Sequence, residues 1–265
     1  MRALPILSAL LVCGSIAFGA PLHAQSSQPF DRDGWYTWQV EAIDDAPSWC
    51  CYAKAHGSAA TPGCDLDGKT HSYGASSDFP YDVTTIRVLA RSERGRLTRV
   101  RAVAADCPVT GGGNVNDLGD VAAAESVTWL MPVVEDRNSI SRDALAAIAV
   151  HKGDAAFAAL EQTARTDAYF RNRKAAVFWL GQVRIDEGGE LLRELMRKDD
   201  SIDMRKHAVF SYSQSAAPDR ESALMEIVED SGMASADRKN ALFWLVQTDS
   251  SDSIDYIQQL LTVDD

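Results

Sequence analysis

Three ten-residue segments of the chain repeat one pattern: RKAAVFWLGQ at residues 173–182, RKHAVFSYSQ at 205–214 and RKNALFWLVQ at 238–247. They begin 32 and 33 residues apart, and a fainter copy, RDALAAI, occupies residues 142–148. Apolar residues spaced three and four positions apart predict that each copy forms one face of a helix. A pattern with this period indicates a repeat architecture, in which each unit buries its apolar face against its neighbours.

Each copy is followed by a second apolar stripe, so the repeating unit is a pair of helices. The three stripes are Leu191, Leu192, Leu195 and Met196; Leu224, Ile227 and Val228; and Ile257, Leu260 and Leu261. Glycine, aspartate and proline at 186–189 and 216–219 predict breaks between the paired helices. We therefore expect residues 142–265 to form an α-solenoid of about four helix pairs.

The first half of the chain has the period of β-strands. Residues 35–42 alternate between polar and apolar side chains, and segments 84–91 and 97–105 are rich in valine, isoleucine, leucine, threonine and alanine. A turn at 92–96 joins the last two, with Gly95 supplying a positive φ. These segments predict a small antiparallel sheet with one face in solvent.

The predicted fold class is therefore α+β. A β-rich, cysteine-containing module is expected at 25–118, a linker and short helix at 119–141, and the helical repeats at 142–265. The change of period between the two halves, together with the restriction of the cysteines to the first half, supports this division.

Residues 1–24 are predicted to be a cleaved secretory signal. Arg2 precedes a short apolar run, and Ala24 provides a small residue before a cut at Gln25. The bulky residue before Cys13 disfavours lipidation of that cysteine. No later apolar run is long enough to span a membrane, so we expect a periplasmic or secreted protein.

Four cysteines remain after this cut: Cys50, Cys51, Cys64 and Cys107. An even number of cysteines in an exported chain predicts disulfides, which would tie down the long loop at 44–80. Three pairings are possible. A bond between the adjacent Cys50 and Cys51 would close a strained ring, so each of these two is expected to pair with Cys64 or Cys107.

The net charge of −12 disfavours non-specific binding to nucleic acid or anionic lipid. Against this background a basic column recurs near the start of each repeat helix: Arg173, Lys174, Arg205, Lys206, Arg238 and Lys239. One interpretation is structural, with these cations paired to acidic residues of the preceding repeat, for which Asp199, Asp200, Asp203 and Asp237 are candidates. The other is a binding face for an acidic partner, to which Trp179 and Trp244 would also belong. Phe178, Phe210 and Phe243 are expected in the core.

The helix pattern Arg-Lys-x-Ala-φ-Phe-Trp-Leu-x-Gln, in which φ is apolar, resembles the short HEAT repeats of bacterial proteins. The chain is most similar to exported bacterial HEAT-repeat domain proteins, which carry a cysteine-containing β segment ahead of the repeats. The first copy departs from the pattern, with Ala147 and Ile148 in place of Phe and Trp, as a capping repeat would. The resemblance implies a non-enzymatic scaffold for protein–protein contacts in the periplasm or cell envelope.

Sequence signatures of catalysis are absent. Iron-binding HEAT-like enzymes of the deoxyhypusine hydroxylase type use His-Glu pairs, and this chain has no His-Glu dipeptide. It also lacks the zinc-protease, nucleophile-elbow, Walker and Ser-x-x-Lys motifs. We therefore predict no enzymatic activity, no catalytic residue, no metal and no cofactor.

Three weaker motifs support the alternative of a metal-binding, small-ligand-binding or enzymatic N-terminal module. The run 111–113 is three glycines, as in a phosphate loop, although a flexible connector explains it better. Residues 65–68 imitate part of a calcium loop but lack its later ligands. His56 and His71 flank Cys64 and would be metal ligands if the cysteines were reduced.

Overall fold

The computed structural model describes residues 28–53, 61–68, 72–75, 83–248 and 250–262. Within this range strands precede helices, and the fold class is α+β. The strands are β1 (Gly34–Glu41), β2 (Trp49–Ala53), β3 (Thr61–Pro62), β4 (Cys64–Asp65), β5 (Ser72–Ala75), β6 (Thr85–Glu93), β7 (Arg96–Ala104), β8 (Val109–Thr110) and β9 (Asn116–Asp120). The helices are α1 (Ala123–Glu135), α2 (Ser141–Ala149), α3 (Asp154–Thr166), α4 (Phe170–Val183), α5 (Ile185–Lys198), α6 (Ile202–Ser213), α7 (Arg220–Glu229), α8 (Ser235–Gln247) and α9 (Ser251–Thr262).

The main sheet has four strands in the order β7-β6-β1-β9. β1 pairs with β6, and β6 with β7, in antiparallel register. The turn between β6 and β7 places Arg94 and Gly95 at positive φ, which suits the twist of a two-residue hairpin. The fourth strand, β9, lies parallel to β1. The expectation of an antiparallel sheet therefore holds for three strands and misses this fourth one.

Both faces of this sheet are covered at least in part. On one face Trp38 and Val40 belong to a continuous core that includes Leu130 of α1 and Leu145 of α2. On the other face Trp35 joins the second core cluster, which contains the four cysteines, Leu66, Leu89 and Val103. The expectation of one solvated face is wrong where the cysteine-rich segment folds over the strands.

The helices form two layers. Helices adjacent in the chain pack against each other, and α2, α4, α6 and α8 contact one another in that order, as do α1, α3 and α5. The repeated segments supply the even-numbered helices, whose wholly buried side chains include Ala176, Val177 and Leu180 on α4, Ala208, Val209 and Tyr212 on α6, and Ala241 and Leu245 on α8. No helix in the described ranges is long and apolar enough to cross a bilayer.

One helix boundary and one apolar stripe differ from the sequence expectation. The break after α4 lies at Arg184, and residues 186–189 belong to α5. The acidic residues of this segment favour a first helical turn. A Cβ on Gly188 would meet Leu180 at 3.0–3.1 Å, so α4 and α5 pack closely there. The stripe of α9 is not buried: Leu261 is 74% exposed, since no further helix in the described chain covers it. The stripes of α5 and α7 are buried as expected, apart from the half-exposed Val228.

A buried arginine joins the sheet, α2 and α4. Arg184 Nε donates to the carbonyl of Ala149 at 2.8 Å, its Nη2 donates to the carbonyl of His151, and its Nη1 pairs with Glu187 at 2.5 Å. The same loop after α2 hydrogen-bonds the end of β1, where Lys152 N donates to the Glu41 carbonyl at 3.0 Å. These contacts fix the sheet against the first helices.

Candidate functional site

The basic column divides into two halves with different surroundings. Arg173 pairs with Asp199, Arg205 pairs with Asp237, and Arg238 donates to a carbonyl at the end of α7. Both acids come later in the chain than their arginines, so the expectation of pairing with the preceding repeat is wrong. The arginines are held inside the helical array by these contacts.

The three lysines of the column, Lys174, Lys206 and Lys239, have no carboxylate within 4 Å among the described residues. Each lies four positions before a phenylalanine of the same repeat: Phe178, Phe210 and Phe243. Residues four apart share one face of a helix. A lysine column therefore runs beside a phenylalanine column on the outer side of α4, α6 and α8.

The expectation that the phenylalanines lie in the core is wrong. Phe178 and Phe210 are half-exposed, and Phe243 is 54% exposed. The helical period places residues such as Val177 and Leu180 toward the inner helices instead, which leaves the phenylalanines on the flank. No described helix forms a third layer outside the even-numbered helices, so this flank stays open.

The rings on this flank form a continuous chain of contacts, which we call the aromatic row. Their centroids lie 5.2 Å apart for Trp49–Trp179, 4.9 Å for Trp179–Phe178, 6.4 Å for Phe178–Phe210, 4.9 Å for Phe210–Trp244 and 5.0 Å for Trp244–Phe243. These are the separations of interacting aromatic pairs. The row begins on β2 and crosses three successive repeats, and five of its six rings are at least partly exposed.

A cavity of about 670 Å³ lies at the β2 end of the aromatic row, and we call it the Trp49 pocket. Trp49, Phe178 and Trp179 provide its aromatic lining. Its charged lining consists of Arg142, Asp143, Arg171 and Lys174, and His207 also lines it. The pocket therefore joins apolar rings with three cations and one acid.

Burial shifts the pKa of two of these groups, His207 and Asp143. It lowers the pKa of His207 below its usual value, so the ring is neutral at pH 7. The Nε2 atom of this ring donates a hydrogen bond of 2.8 Å to the Lys174 carbonyl. Burial raises the pKa of Asp143, an effect opposed by the nearby charges of Arg142 and Arg101. The positive charge of the pocket therefore comes from its arginines and lysine.

A second cavity, of about 770 Å³, lies between the β6–β7 turn and the α1–α2 loop. Its lining is mostly polar, and the charges that face each other there are already paired: Arg96 and Asp136 form an ion pair at 2.8 Å, and Arg91 and Glu93 form another at 3.0 Å. This cavity lacks the aromatic lining of the Trp49 pocket, and we assign it no function.

The four predicted disulfide cysteines are buried and paired as Cys50–Cys107 and Cys51–Cys64. The non-adjacent pairing expected from the sequence is the one observed. Paired cysteines offer no thiolate to a metal, which removes the thiol ligands on which a site with His56 and His71 would depend. Both histidines lie outside the described residues.

The calcium-like and glycine-rich motifs are packed against each other. Asp67 Oδ2 accepts a hydrogen bond from Gly112 N at 2.7 Å, and Asp65 Oδ1 accepts one from Asp67 N at 3.0 Å. A Cβ on Gly111 would lie 2.8 Å from the Asp65 carboxylate. The glycines therefore allow a close approach between two loops, and the described residues contain no group of three or more metal-ligating side chains.

A buried serine–histidine contact connects the sheet to the helices. Ser126 Oγ lies 2.7 Å from His151 Nε2 and accepts a hydrogen bond from Trp38 Nε1 at 2.8 Å. All three side chains are fully buried, so no substrate reaches this pair. The contact has a structural role despite its resemblance to a catalytic dyad.

The structure adds residues to the candidate face that the sequence analysis missed. Trp49 lay in a predicted loop, and Arg171 stood outside the repeated ten-residue pattern. The spacing of four between Lys174 and Phe178, which recurs in all three copies, was a signal that the two columns share a face. The chain matches no known family, no curated protein and no solved structure.

Proposed function

We propose that this protein is a protein–protein interaction module that binds a segment of its partner along the aromatic row. The observation that carries the proposal is the run of five partly exposed rings across α4, α6 and α8. Exposed apolar patches of this kind mark interaction sites in water-soluble domains. Tryptophan, which provides two of these five rings, is also enriched among the residues that dominate the binding energy of interfaces.

The lysine column specifies the chemistry of the partner. Lys174, Lys206 and Lys239 lie beside the row without carboxylate partners in the described chain, whereas the net charge of the protein is −12. An acidic segment with apolar anchors would pair with the lysines and place its anchors on the rings. Electrostatic complementarity of this kind contributes mainly to specificity and association rate.

The architecture and compartment that we propose agree with this role. The repeat period, the paired helices and the contacts between even-numbered helices support a short-HEAT-like solenoid, which offers extended surfaces to protein partners. Two disulfides are typical of a protein that folds in an oxidising compartment. We propose that residues 1–24, outside the described range, are removed on export and that the mature protein works in the bacterial periplasm or outside the cell.

Site-specific photo-crosslinking in the native host tests the proposal. A photoreactive residue at Phe243 should capture one defined partner, and the triple variant Lys174→Glu, Lys206→Glu, Lys239→Glu should lose it at unchanged thermal stability. Lys198→Glu is the control for charge reversal, because Lys198 is an exposed lysine on α5 outside the row. Capture that survives the triple variant, or that fails equally in the control, would refute the proposed face.

A further inference from the structure

We infer that the Trp49 pocket binds the C-terminal end of the partner chain, with the terminal carboxylate at Arg142, Arg171 and Lys174. This inference rests on the proposed function and adds the part of the partner that is recognised. It follows from three features of the pocket: its charge, its position at the end of the aromatic row, and its combined apolar and cationic lining.

The pocket concentrates positive charge on a protein that is otherwise acidic. Neither its arginines nor Lys174 has a carboxylate within 4 Å among the described residues, and Asp143 is the one acid in its lining. Guanidinium groups bind carboxylates through paired N–H donors. An anionic group of the ligand would supply the charge partner that these side chains lack.

The position of the pocket favours a chain end over the middle of a chain. Trp49, only 5% exposed, belongs to β2 and ends the aromatic row. The next even-numbered helix, α2, carries Ala147 and Ile148 where α4 and α8 have Phe and Trp, and both are wholly buried in the core. The surface of exposed rings therefore stops at this wall, and a segment lying along the row has its end in the pocket.

The lining matches a C-terminal residue with an apolar side chain. A volume of about 670 Å³ is in the range of pockets that enclose a small ligand, and it is large enough for the end of a peptide. The partly exposed Phe178 and Trp179 offer ring surface to the last side chain, while the three cations bind the carboxylate. Lys206 and Lys239 lie farther along the row, where they face acidic side chains upstream of that end.

Binding of immobilised and soluble peptides tests the inference. Ten-residue peptides with varied acidic and aromatic residues are displayed with a free C-terminal carboxylate, and the best binders are resynthesised as C-terminal amides. We expect amidation to weaken binding about tenfold or more, the loss typical of one charge-assisted contact. The double variant Arg142→Gln, Arg171→Gln should bind both forms equally weakly. Lys198→Gln, which removes an exposed charge on α5, is the control and should keep the preference.

The outcomes separate the inference from the proposed function. Equal affinity for the acid and amide forms, with binding still abolished by Phe210→Ala, would overturn the carboxylate pocket and leave the aromatic row as the binding face. Equally tight binding of N-acetyl-phenylalanine alone would also overturn it, because the pocket would then select a free small acid. If no peptide of either form binds, the proposed function falls together with the inference.

Discussion

Arg205 on α6 donates from Nε and Nη2 to Asp237 Oδ2 on α8, at 3.0 and 2.9 Å. The carboxylate is only 2% exposed, and its second oxygen has no partner among the described groups. The next residue, Lys206, has no ion pair with any residue that the structure describes. Of the two cations in this dipeptide, one is thus bound to a buried carboxylate of the next repeat and the other has no carboxylate partner in the described chain.

Replacing Arg205 with alanine should destabilise the protein by about 3 kcal/mol, because it leaves the buried Asp237 carboxylate without its counter-charge. Urea unfolding measures the change. Lys206→Ala is the matched control, and it should cost less than about 0.5 kcal/mol, because Lys206 is partly exposed and has no carboxylate partner in the described chain. Equal destabilisation by the two variants would contradict the division of the basic column.

Gly181→Ala should destabilise the protein by about 2 kcal/mol. The added Cβ would lie 2.7 Å from the carbonyl oxygen of Ser211, so α4 and α6 would have to separate, and overpacking of this kind costs about 1–3 kcal/mol. Gly189→Ala on α5 is the matched control, because its Cβ would meet its nearest neighbour at 3.8 Å. There alanine should stabilise the helix by up to about 1 kcal/mol, and stabilisation by both substitutions would disprove the close approach.

His151 should make stability fall in acid. Burial lowers its pKa from 6.5 to about 4, so the folded protein keeps the ring neutral while the unfolded chain takes up a proton between these pH values. Its contribution is complete above about pH 6.5 and declines as the pH falls to about 4, by a total on the order of 3 kcal/mol.

Urea unfolding at pH 7.5, 5.5 and 4.5 measures this effect. Carboxylates titrate in the same range, so the test compares wild type with His151→Gln, which lacks the titrating ring. The stability of the variant should fall less steeply than that of the wild type below pH 6.5. Parallel curves would show that the buried ring does not titrate as expected.

The two disulfides should differ in their contribution to stability. The chain-entropy account assigns about 4 kcal/mol to Cys50–Cys107, whose sequence separation is 57, and about 3 kcal/mol to Cys51–Cys64, whose separation is 13. Double alanine variants of each pair measure the two values. A larger loss from the shorter bridge would contradict the entropic account, and recovery of a Cys50–Cys51 peptide under non-reducing conditions would contradict the observed pairing.

The sequence by itself located the main elements, because each depends on a local period. The repeated segments 173–182, 205–214 and 238–247 coincide almost entirely with α4, α6 and α8, and the hairpin turn lies at Gly95 as expected. The strain of a bond between adjacent cysteines is likewise a local property, and it disfavoured the vicinal pairing before any tertiary contact was known.

The tertiary structure alone decided which faces of these elements are covered. Periodicity shows that Phe178 and Lys174 share a helix face, but coverage depends on the neighbouring helices, which bury Val177 and leave Phe178 half-exposed. It also decided that Arg205 reaches Asp237, while Lys206 forms no ion pair within the described part of the chain. The same packing brings Trp49 of β2 against Trp179 of α4, because the contact of two residues so far apart in the chain depends on how the sheet docks on the helices.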